Sequence, residues 1–274
     1  MTGSYILSPK ESDDATFTTG TSTVSDAGVT NLQNARPNNR CRFSSTTAHV
    51  VIDFGSAVVR DTLVLGWVKL DASDATFQLR AATSEGDLTA SPGYDSGPIT
   101  VWPSGSDLSR YLRPHRSFEF IAQTFRWWRI DINDGSSTYG HIELSRLMLG
   151  ERIEPDRSLP DPLSNQGEEP APVLTSRGGE GVAQFRGFYN QMPASWPFIT
   201  EADHANMWST FEERGAHGDI ALVTKPESIY PMLYIRIGRV TSRSISTNEF
   251  VNDDGDRFRS ARIVVSEFAP TEMT

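Results

Sequence analysis

The clearest evidence for β-structure in this 274-residue chain is the run Phe125-Arg126-Trp127-Trp128-Arg129-Ile130-Asp131-Ile132, which is followed by Asn133-Asp134-Gly135. The apolar residues Trp128, Ile130 and Ile132 alternate with charged residues, and a period of two places the two sets on opposite faces of a strand. Asn-Asp-Gly then supplies the backbone chemistry of a turn. The run therefore predicts a strand with one face in a core.

Further strands are predicted at short spacing on both sides of this run, at Val50–Gly55, Leu63–Val68, Phe77–Ala81 and Ile142–Leu149. The first alternates and ends at Gly55, whereas Leu63–Val68 is apolar on both faces and predicts a buried central strand. Between these strands the sequence lacks a long amphipathic helix pattern. Residues 1–150 are therefore predicted to form an antiparallel β-sandwich.

Prolines change the pattern after Gly150. They recur between Glu151 and Gly181 and predict a Pro/Gly-rich linker over residues 151–180, because proline cannot donate to a strand ladder. Residues 181–274 then predict a smaller β-rich domain with one α-helix. Its strands are expected at Val182–Tyr189, Ile220–Val223, Met232–Val240 and Phe258–Phe268.

The helix of this second domain has a recognisable start and end. Thr200 is the predicted N-cap, Asp203 completes a capping box, and Gly215 ends the helix. At 100° per residue, five side chains lie on one arc and predict the buried face: His204, Ala205, Met207, Trp208 and Phe211.

Composition and charge exclude several classes of protein. With 25 Lys+Arg against 35 Asp+Glu, the formal net charge of −10 disfavours binding to a nucleic acid backbone. The single Cys41 cannot form an internal disulfide, which fits a reducing compartment. Met1–Asp14 lacks a secretory signal pattern, and the longest apolar run is far shorter than the ~20 residues that cross a bilayer. We expect no nucleic acid partner and no membrane insertion.

The sequence nominates no reactive centre. Paired Cys/His spacings typical of zinc sites are missing, as are a Gly-x-Ser-x-Gly motif and a phosphate-binding glycine loop before a helix. Asn252–Asp256 offers oxygen donors without EF-hand spacing, so a hairpin turn is the preferred interpretation. We expect no catalytic residue, metal or cofactor. A carboxylate pair for glycoside hydrolysis stays open, because the fold sets its separation.

Aromatic residues in turn-rich segments are a further functional signal. Trp102 lies at the end of the Pro/Gly-rich stretch 91–103, beside Pro103, and Tyr94 and Tyr111 are similarly placed. Exposed rings stack on sugars or anchor a protein interface. The alternative is that these rings cap the open end of the sandwich.

The order of several segments resembles a discoidin-like, or galactose-binding-like, β-sandwich of jelly-roll type. They are Arg40-Cys41-Arg42-Phe43-Ser44-Ser45, Val50-Val51-Ile52-Asp53-Phe54-Gly55, the run 125–132 and Ile142 to Gly150. The resemblance covers about half of the chain. It implies glycan binding through loops at one end of the sandwich, and the candidate residues are then Asn38, Asn39, Arg40 and Trp102.

The whole arrangement, from Phe77–Ala82 and Tyr94–Gly97 to the compact region around Trp208, also resembles tail proteins of long-tailed bacteriophages. The resemblance implies a non-enzymatic structural component of a tail tip or baseplate, which forms a ring or collar at the distal end of the tail tube. It would be made in the host cytoplasm and would act in the virion. Implied partners are further copies of itself, tail tube, hub and tape-measure proteins, and a host-surface glycan. The alternative function is a carbohydrate-binding module for a bacterial surface glycan, and a glycan-degrading enzyme is the third.

Overall fold

The computed structural model describes residues 3–70, 74–103, 114–155, 166–168, 173–175, 181–183, 189–214, 218–225, 228, 234–245, 250–251 and 257–267. Within them the strands form a seven-stranded sheet, an eight-stranded sheet and two two-stranded sheets. All of the pairings between these strands are antiparallel. The chain is therefore a mainly β protein, as predicted.

The strands up to residue 155 are β1 (Tyr5–Leu7), β2 (Thr16–Thr18), β3 (Cys41–Phe43), β4 (Thr47–Gly66), β5 (Thr76–Ala82), β6 (Tyr94–Asp95), β7 (Ile99–Thr100), β8 (Arg116–Asn133), β9 (Ile142–Leu144), β10 (Arg146–Gly150) and β11 (Arg152–Ile153). Short helices lie between them: α1 (Lys10–Asp14), a 3-10 helix (Val29–Gln33) and α2 (Asp87–Ala90). The seven-stranded sheet, here called the sandwich sheet, has the order β10-β4-β8-β5-β6, with β2 beside β4 and β7 beside β5.

The core of the sandwich lies between this sheet and the pair β3–β9. Alternate residues of β4 and β8 point into it, so that Val50 faces Ile130 and Ile52 faces Trp128 across the two strands. All four side chains are buried, and Phe43 of β3 closes the core from the other side. Full burial of each large apolar side chain stabilises the fold by about 1.5–3 kcal/mol. The predicted antiparallel β-sandwich is thus confirmed.

Two predicted strand boundaries are wrong. Gly55 does not end the first strand, because β4 continues to Gly66. The register of β4 against β8 instead shifts between Asp53 and Val58. Gly55 lies within this shift and adopts a φ of 74°, which a residue without Cβ tolerates. The predicted strand Ile142–Leu149 is divided at Ser145, whose N–H donates to the Gly66 carbonyl at 3.1 Å. Its first half pairs with β3 and its second half with β4.

The remaining elements are β12 (Gln166–Glu168), β13 (Val173–Thr175), β14 (Gly181–Ala183), β15 (Tyr189–Ile199), α3 (Glu201–Arg214), β16 (Asp219–Val223), β17 (Ile235–Ile245), β18 (Phe250–Val251) and β19 (Arg257–Glu267). The eight-stranded sheet, here called the second sheet, has the order β11-β1-β16-β17-β19-β15-β12, and β18 pairs with β19. Strands β13 and β14 pair with each other. A second β-rich part with a helix therefore follows the sandwich, as predicted.

The second sheet draws strands from each of the three predicted regions. Strand β1 lies within residues 1–150, yet it pairs with β16 on one side and with β11 on the other. Strands β11, β12 and β13 fall within the predicted linker 151–180. The division into 1–150, 151–180 and 181–274 as independent units stays a prediction, whereas the second sheet takes its strands from both ends of the chain.

Helix α3 begins as predicted, but its buried face differs. Thr200 Oγ1 accepts a hydrogen bond from the Asp203 N–H at 3.1 Å and donates to its carboxylate at 2.8 Å. Met207 and Phe211 are buried, and so is Thr210. Three members of the predicted arc are not buried: Ala205 is exposed, and His204 and Trp208 are intermediate. The buried stripe is therefore narrower than the predicted one.

The sandwich and the second sheet share buried contacts. Leu7 and Ile237 of the second sheet pack with Val64 and Met148 of the sandwich sheet. The fully buried Arg146 guanidinium lies between two carboxylates, those of Asp219 at 2.9 Å and Asp13 at 2.6 Å. The buried His115 bonds to Glu267 at 2.7 Å. Apolar, ionic and imidazole contacts thus connect the two parts.

Candidate functional site

Trp102 does not lie on the surface. Its side chain is 2% exposed within the sandwich core, and its Nε1–H donates to the Leu70 carbonyl at 3.2 Å. The expectation of an exposed ring is wrong because residues 101–102 fold inward, where the indole finds both an apolar environment and an acceptor. Tyr94 is half-buried and stacks on Phe120, with ring centroids 5.6 Å apart. Tyr111 lies outside the described residues.

The loop candidates Asn38, Asn39 and Arg40 lie on a turn before β3. Asn38 is exposed, and the Asn39 N–H closes the turn by donating to the Arg36 carbonyl at 3.0 Å. Arg40 lies 3.4 Å from the fully buried carboxylate of Glu143. Trp102 has its contacts in a different part of the sandwich, so none of the described contacts brings it to this turn. Glycan binding by the three loop residues stays a prediction.

A different set of polar residues comes together on the outer face of the sandwich sheet. Because side chains alternate along a strand, the residues between the core positions of β4, β8 and β5 point away from the core. His49 of β4 and Gln78 of β5 both pair with Asp131 of β8. One step along, Arg80 of β5 pairs with Arg129 of β8. We call these five residues the polar face.

Hydrogen bonds fix the geometry of the polar face. Arg129 donates to the Asp131 carboxylate from Nε at 2.9 Å and from Nη2 at 2.7 Å. Arg80 donates to the same carboxylate at 3.1 Å and to the side-chain oxygen Oε1 of Gln78 at 2.8 Å. Gln78 in turn donates to Asp95 at 2.6 Å. Such partly exposed ion pairs add little stability, but the network holds each planar group in a defined orientation.

His49 is held as a neutral imidazole. The Gly20 N–H donates to its Nε2 at 3.0 Å, so the ring proton is assigned to Nδ1, which lies 3.3 Å from Thr21 Oγ1. Burial lowers the pKa of His49 below its ordinary value of 6.5, and the Arg129 guanidinium lowers it further. Both ring nitrogens are therefore engaged, and the ring is uncharged at neutral pH.

Two cavities open on the polar face, one on each side of His49 and Arg129. The first has a volume of about 410 Å³ and the second about 430 Å³. Both volumes lie in the ~300–1,000 Å³ range of small-ligand sites. The first is lined by residues that include Thr21, Thr47, Gln78 and Asp131. The second is lined by residues that include Thr18, Thr19, Glu85 and Thr89. Since His49 and Arg129 line both, the cavities adjoin each other.

An aromatic ring continues this surface along β8. Trp127 follows Asp131 and Arg129 on the same face of the strand and is half-buried against Val51 and Leu88. The neighbouring Arg126 forms two parallel hydrogen bonds with Asp53, at 2.7 and 2.8 Å, and these lower the pKa of Asp53. The outer face therefore combines an apolar ring with fixed polar groups.

Metal and thiol chemistry gain no candidate from the described residues. Within them, His, Cys, Asp and Glu side chains form no group of three or more that could bind a metal ion. Asn252–Asp256 and His217 lie outside this part of the chain. Cys41 is buried, and desolvation raises the pKa of its thiol to about 12. In the helices that the structure describes, none is long and apolar enough to span a membrane.

The sequence contains a signal for the polar face, although no motif marks these residues. Arg129 and Asp131 alternate with core residues in the run 125–132, and Gln78 and Arg80 alternate with Phe77 and Leu79. A charged outer face is also what any half-buried strand presents to water. Only the register, which brings the strands side by side, turns these residues into one surface.

No family model matches this chain, and no curated protein matches it. Solved structures are similar to about half of it. They include the CBM32 of AlyQ in complex with 4,5-unsaturated mannuronic acid, at 17% identity and a TM-score of 0.36. The matched region covers 49% of this chain and 92% of the AlyQ module. The family 32 carbohydrate-binding module of Clostridium perfringens NanJ in complex with galactose has 8% identity and a TM-score of 0.38, with 53% and 98% covered. A fucose-binding module of Streptococcus pneumoniae has 12% identity and a TM-score of 0.35, with 50% and 93% covered.

Proposed function

We propose that this chain is a non-catalytic carbohydrate-binding protein and that the polar face of the sandwich sheet is its binding surface. The observation that carries the proposal is the pair of adjoining cavities around His49 and Arg129. Each is large enough for a small ligand, and each is lined mainly by side chains that hydrogen-bond.

The chemistry of the lining suits a sugar. Neighbouring sugar hydroxyls both donate and accept hydrogen bonds, and the cavities offer guanidinium donors, carboxylate acceptors and threonine hydroxyls that do both. The network around Asp131 holds the planar groups in place before a ligand arrives, which reduces the ordering cost of binding. The half-buried Trp127 ring beside Arg129 adds an apolar surface of the kind on which a sugar ring stacks.

The proposal is tested by screening the purified full-length chain on a glycan array that includes bacterial surface polysaccharides, followed by calorimetric titration of each glycan bound. Arg129→Lys keeps the positive charge but loses the planar fork, and we expect about a tenfold or greater loss of affinity, because hydrogen bonds to charged groups contribute ~1.5–3 kcal/mol. Arg262→Lys is the matched control, since Arg262 is an exposed arginine on the second sheet. We expect its affinity to equal that of the unmodified protein.

The same titrations separate this surface from the loop candidates. If binding survives Arg129→Lys but is lost when Asn38 and Asn39 are both replaced by alanine, the loop at 38–40 is the site and the polar face is not. If no glycan binds at all, the proposed function itself is wrong.

A structural role in a bacteriophage tail tip, with assembly in the host cytoplasm and tail proteins as partners, stays a prediction that no comparison supports. Light scattering of the purified protein tests for a closed ring, and electron microscopy of virions tests for its presence at a tail tip. If the purified protein is monomeric and virions do not contain it, this second candidate function is wrong.

A further inference from the structure

We infer that the ligand of the polar face is an oligosaccharide without anionic groups, of at least two sugar residues, one in each cavity, with the Arg129 guanidinium contacting both. This inference rests on the proposed carbohydrate-binding function and specifies the class of glycan. It follows from the arrangement of the two cavities, from the charges around them and from the donors that Arg129 has available.

The cavities define the minimum length. They have similar volumes of about 410 and 430 Å³, and apart from His49 and Arg129 their linings do not overlap. Thr47 and Gln78 line only the first, and Thr18 and Glu85 line only the second. A monosaccharide in one cavity leaves the lining of the other without ligand, whereas a linked second residue gains those contacts at little further cost in translational and rotational freedom.

The charges of the polar face compensate one another. Asp131 accepts from both Arg129 and Arg80, and Asp95 lies 3.4 Å from Arg80. Two guanidinium groups thus face two carboxylates, and the imidazole of His49 between the cavities is neutral. This part of the face offers an incoming ionic group no uncompensated charge of opposite sign.

Anionic glycans meet a further obstacle. Glu85 is exposed on the wall of the second cavity and forms no ion pair with the described residues, so it repels uronates and sulfated sugars. The formal net charge of −10 acts in the same direction. A glycan without anionic groups avoids this repulsion.

Arg129 provides the contact between the two subsites. Its Nε and Nη2 donate to Asp131, while its Nη1 has no hydrogen-bond partner among the described residues. The side chain is 20% exposed, and it lines both cavities. A guanidinium held on one edge by a carboxylate keeps two N–H donors for ligand hydroxyls on either side.

The first experiment varies the length and charge of the probe. Gluco-, galacto- and manno-oligosaccharides of one to four units are titrated beside glucuronate, galacturonate and mannuronate oligomers of the same lengths. We expect affinity to rise at least tenfold from one to two units of a neutral series, with the uronate counterparts at least tenfold weaker. Affinity should change less than twofold between 50 and 500 mM NaCl, because binding an uncharged ligand involves no ion pairing.

The second experiment assigns the subsites with isosteric hydroxyl removals. Thr47→Val affects only the first cavity, Thr18→Val only the second, and Thr124→Val is the control on an exposed threonine of β8 that lines neither cavity. For a disaccharide, each of the first two variants should lose about three- to tenfold in affinity and the control none. For a monosaccharide, only one of the two should lose affinity.

The outcomes separate this inference from the function on which it rests. If a glycan binds through Arg129, but a monosaccharide binds as tightly as its disaccharide or a uronate binds more tightly than its neutral counterpart, the inference is wrong and the proposed function stands. If none of the glycans binds, the proposed function fails first.

Discussion

The buried ionic cluster between the sandwich and the second sheet predicts strong, non-additive effects of mutation. Arg146 and Asp219 are both 0% exposed in their side chains, and the guanidinium donates to Asp219 at 2.9 and 3.0 Å. Asp13 provides a second carboxylate at 2.6 and 2.9 Å. Removal of one partner from a buried ion pair costs about 3–5 kcal/mol, because it leaves the other charge uncompensated.

We expect Asp219→Ala to lower the free energy of unfolding by about 3 kcal/mol, at the lower end of that range, because Asp13 remains bound to the guanidinium. Arg146→Met should cost about 4–5 kcal/mol, since it leaves the fully buried Asp219 carboxylate without its cation. The double variant Arg146→Met with Asp219→Ala carries neither buried charge. Its loss should therefore be smaller than the sum of the single losses by about 2–3 kcal/mol.

Urea unfolding at 25 °C and pH 7, followed by tryptophan fluorescence, measures all three variants. Lys10→Ala is the control, because the pair of Lys10 and Glu213 is 44% and 48% exposed and such a pair is worth less than about 1 kcal/mol. A loss below about 1 kcal/mol for Asp219→Ala, or losses that simply add in the double variant, would refute the reasoning from buried charge.

Three further predictions concern a glycine, a histidine and the cysteine. A Cβ on Gly238 would overlap the backbone of Ser266 on the neighbouring strand, whereas a Cβ on Gly28 meets nothing within 4 Å. Gly238→Ala should therefore lower the midpoint of thermal unfolding by several degrees, and Gly28→Ala should leave it nearly unchanged. The folded pKa of His49 lies below 6.5, so the unfolded chain binds the proton first and the stability present above pH 6.5 is lost as the pH falls. The urea midpoint should consequently drop less between pH 7.5 and 5.5 in His49→Gln than in the unmodified protein, and an equal drop would contradict the shift. The Cys41 thiol, buried and with its pKa raised to about 12, should react with Ellman's reagent at pH 8 only after unfolding, and rapid labelling of the native protein would contradict its burial.

Local sequence patterns predicted the strands well and their partners poorly. The alternation in the run 125–132 and the capping box at Thr200 depend only on neighbouring residues, and both elements formed. Gly55 shows the limit of local patterns, because a glycine with positive φ occurs at a bulge inside a long strand as readily as at the end of a strand. The pairing of Tyr5–Leu7 with Asp219–Val223 joins segments that lie far apart in the sequence, and no short window of sequence contains both.

The candidate site was harder to predict for a related reason. Exposure of Trp102 was one of two interpretations, because its neighbours promote turns, but turn residues set the path of the backbone and not the direction of a ring. Arg129 and Asp131 were recognised as the outer side of a strand, yet their partners His49 and Gln78 lie on other strands. Register is a property of the assembled sheet.

Strand β1 gives the molecule a particular topology. From β1 in the second sheet the chain passes into the sandwich, forms it, and returns through β11, which pairs with the same strand β1. The sandwich is thus an insertion between the first strand and the rest of the second sheet. During synthesis, the apolar segment Tyr5–Leu7 leaves the ribosome long before its partner β16 is made. The sandwich can therefore fold first, and the second sheet forms only after its later strands have been synthesised. A fragment that ends at residue 150 would contain β1 but neither of its pairing partners, β11 and β16.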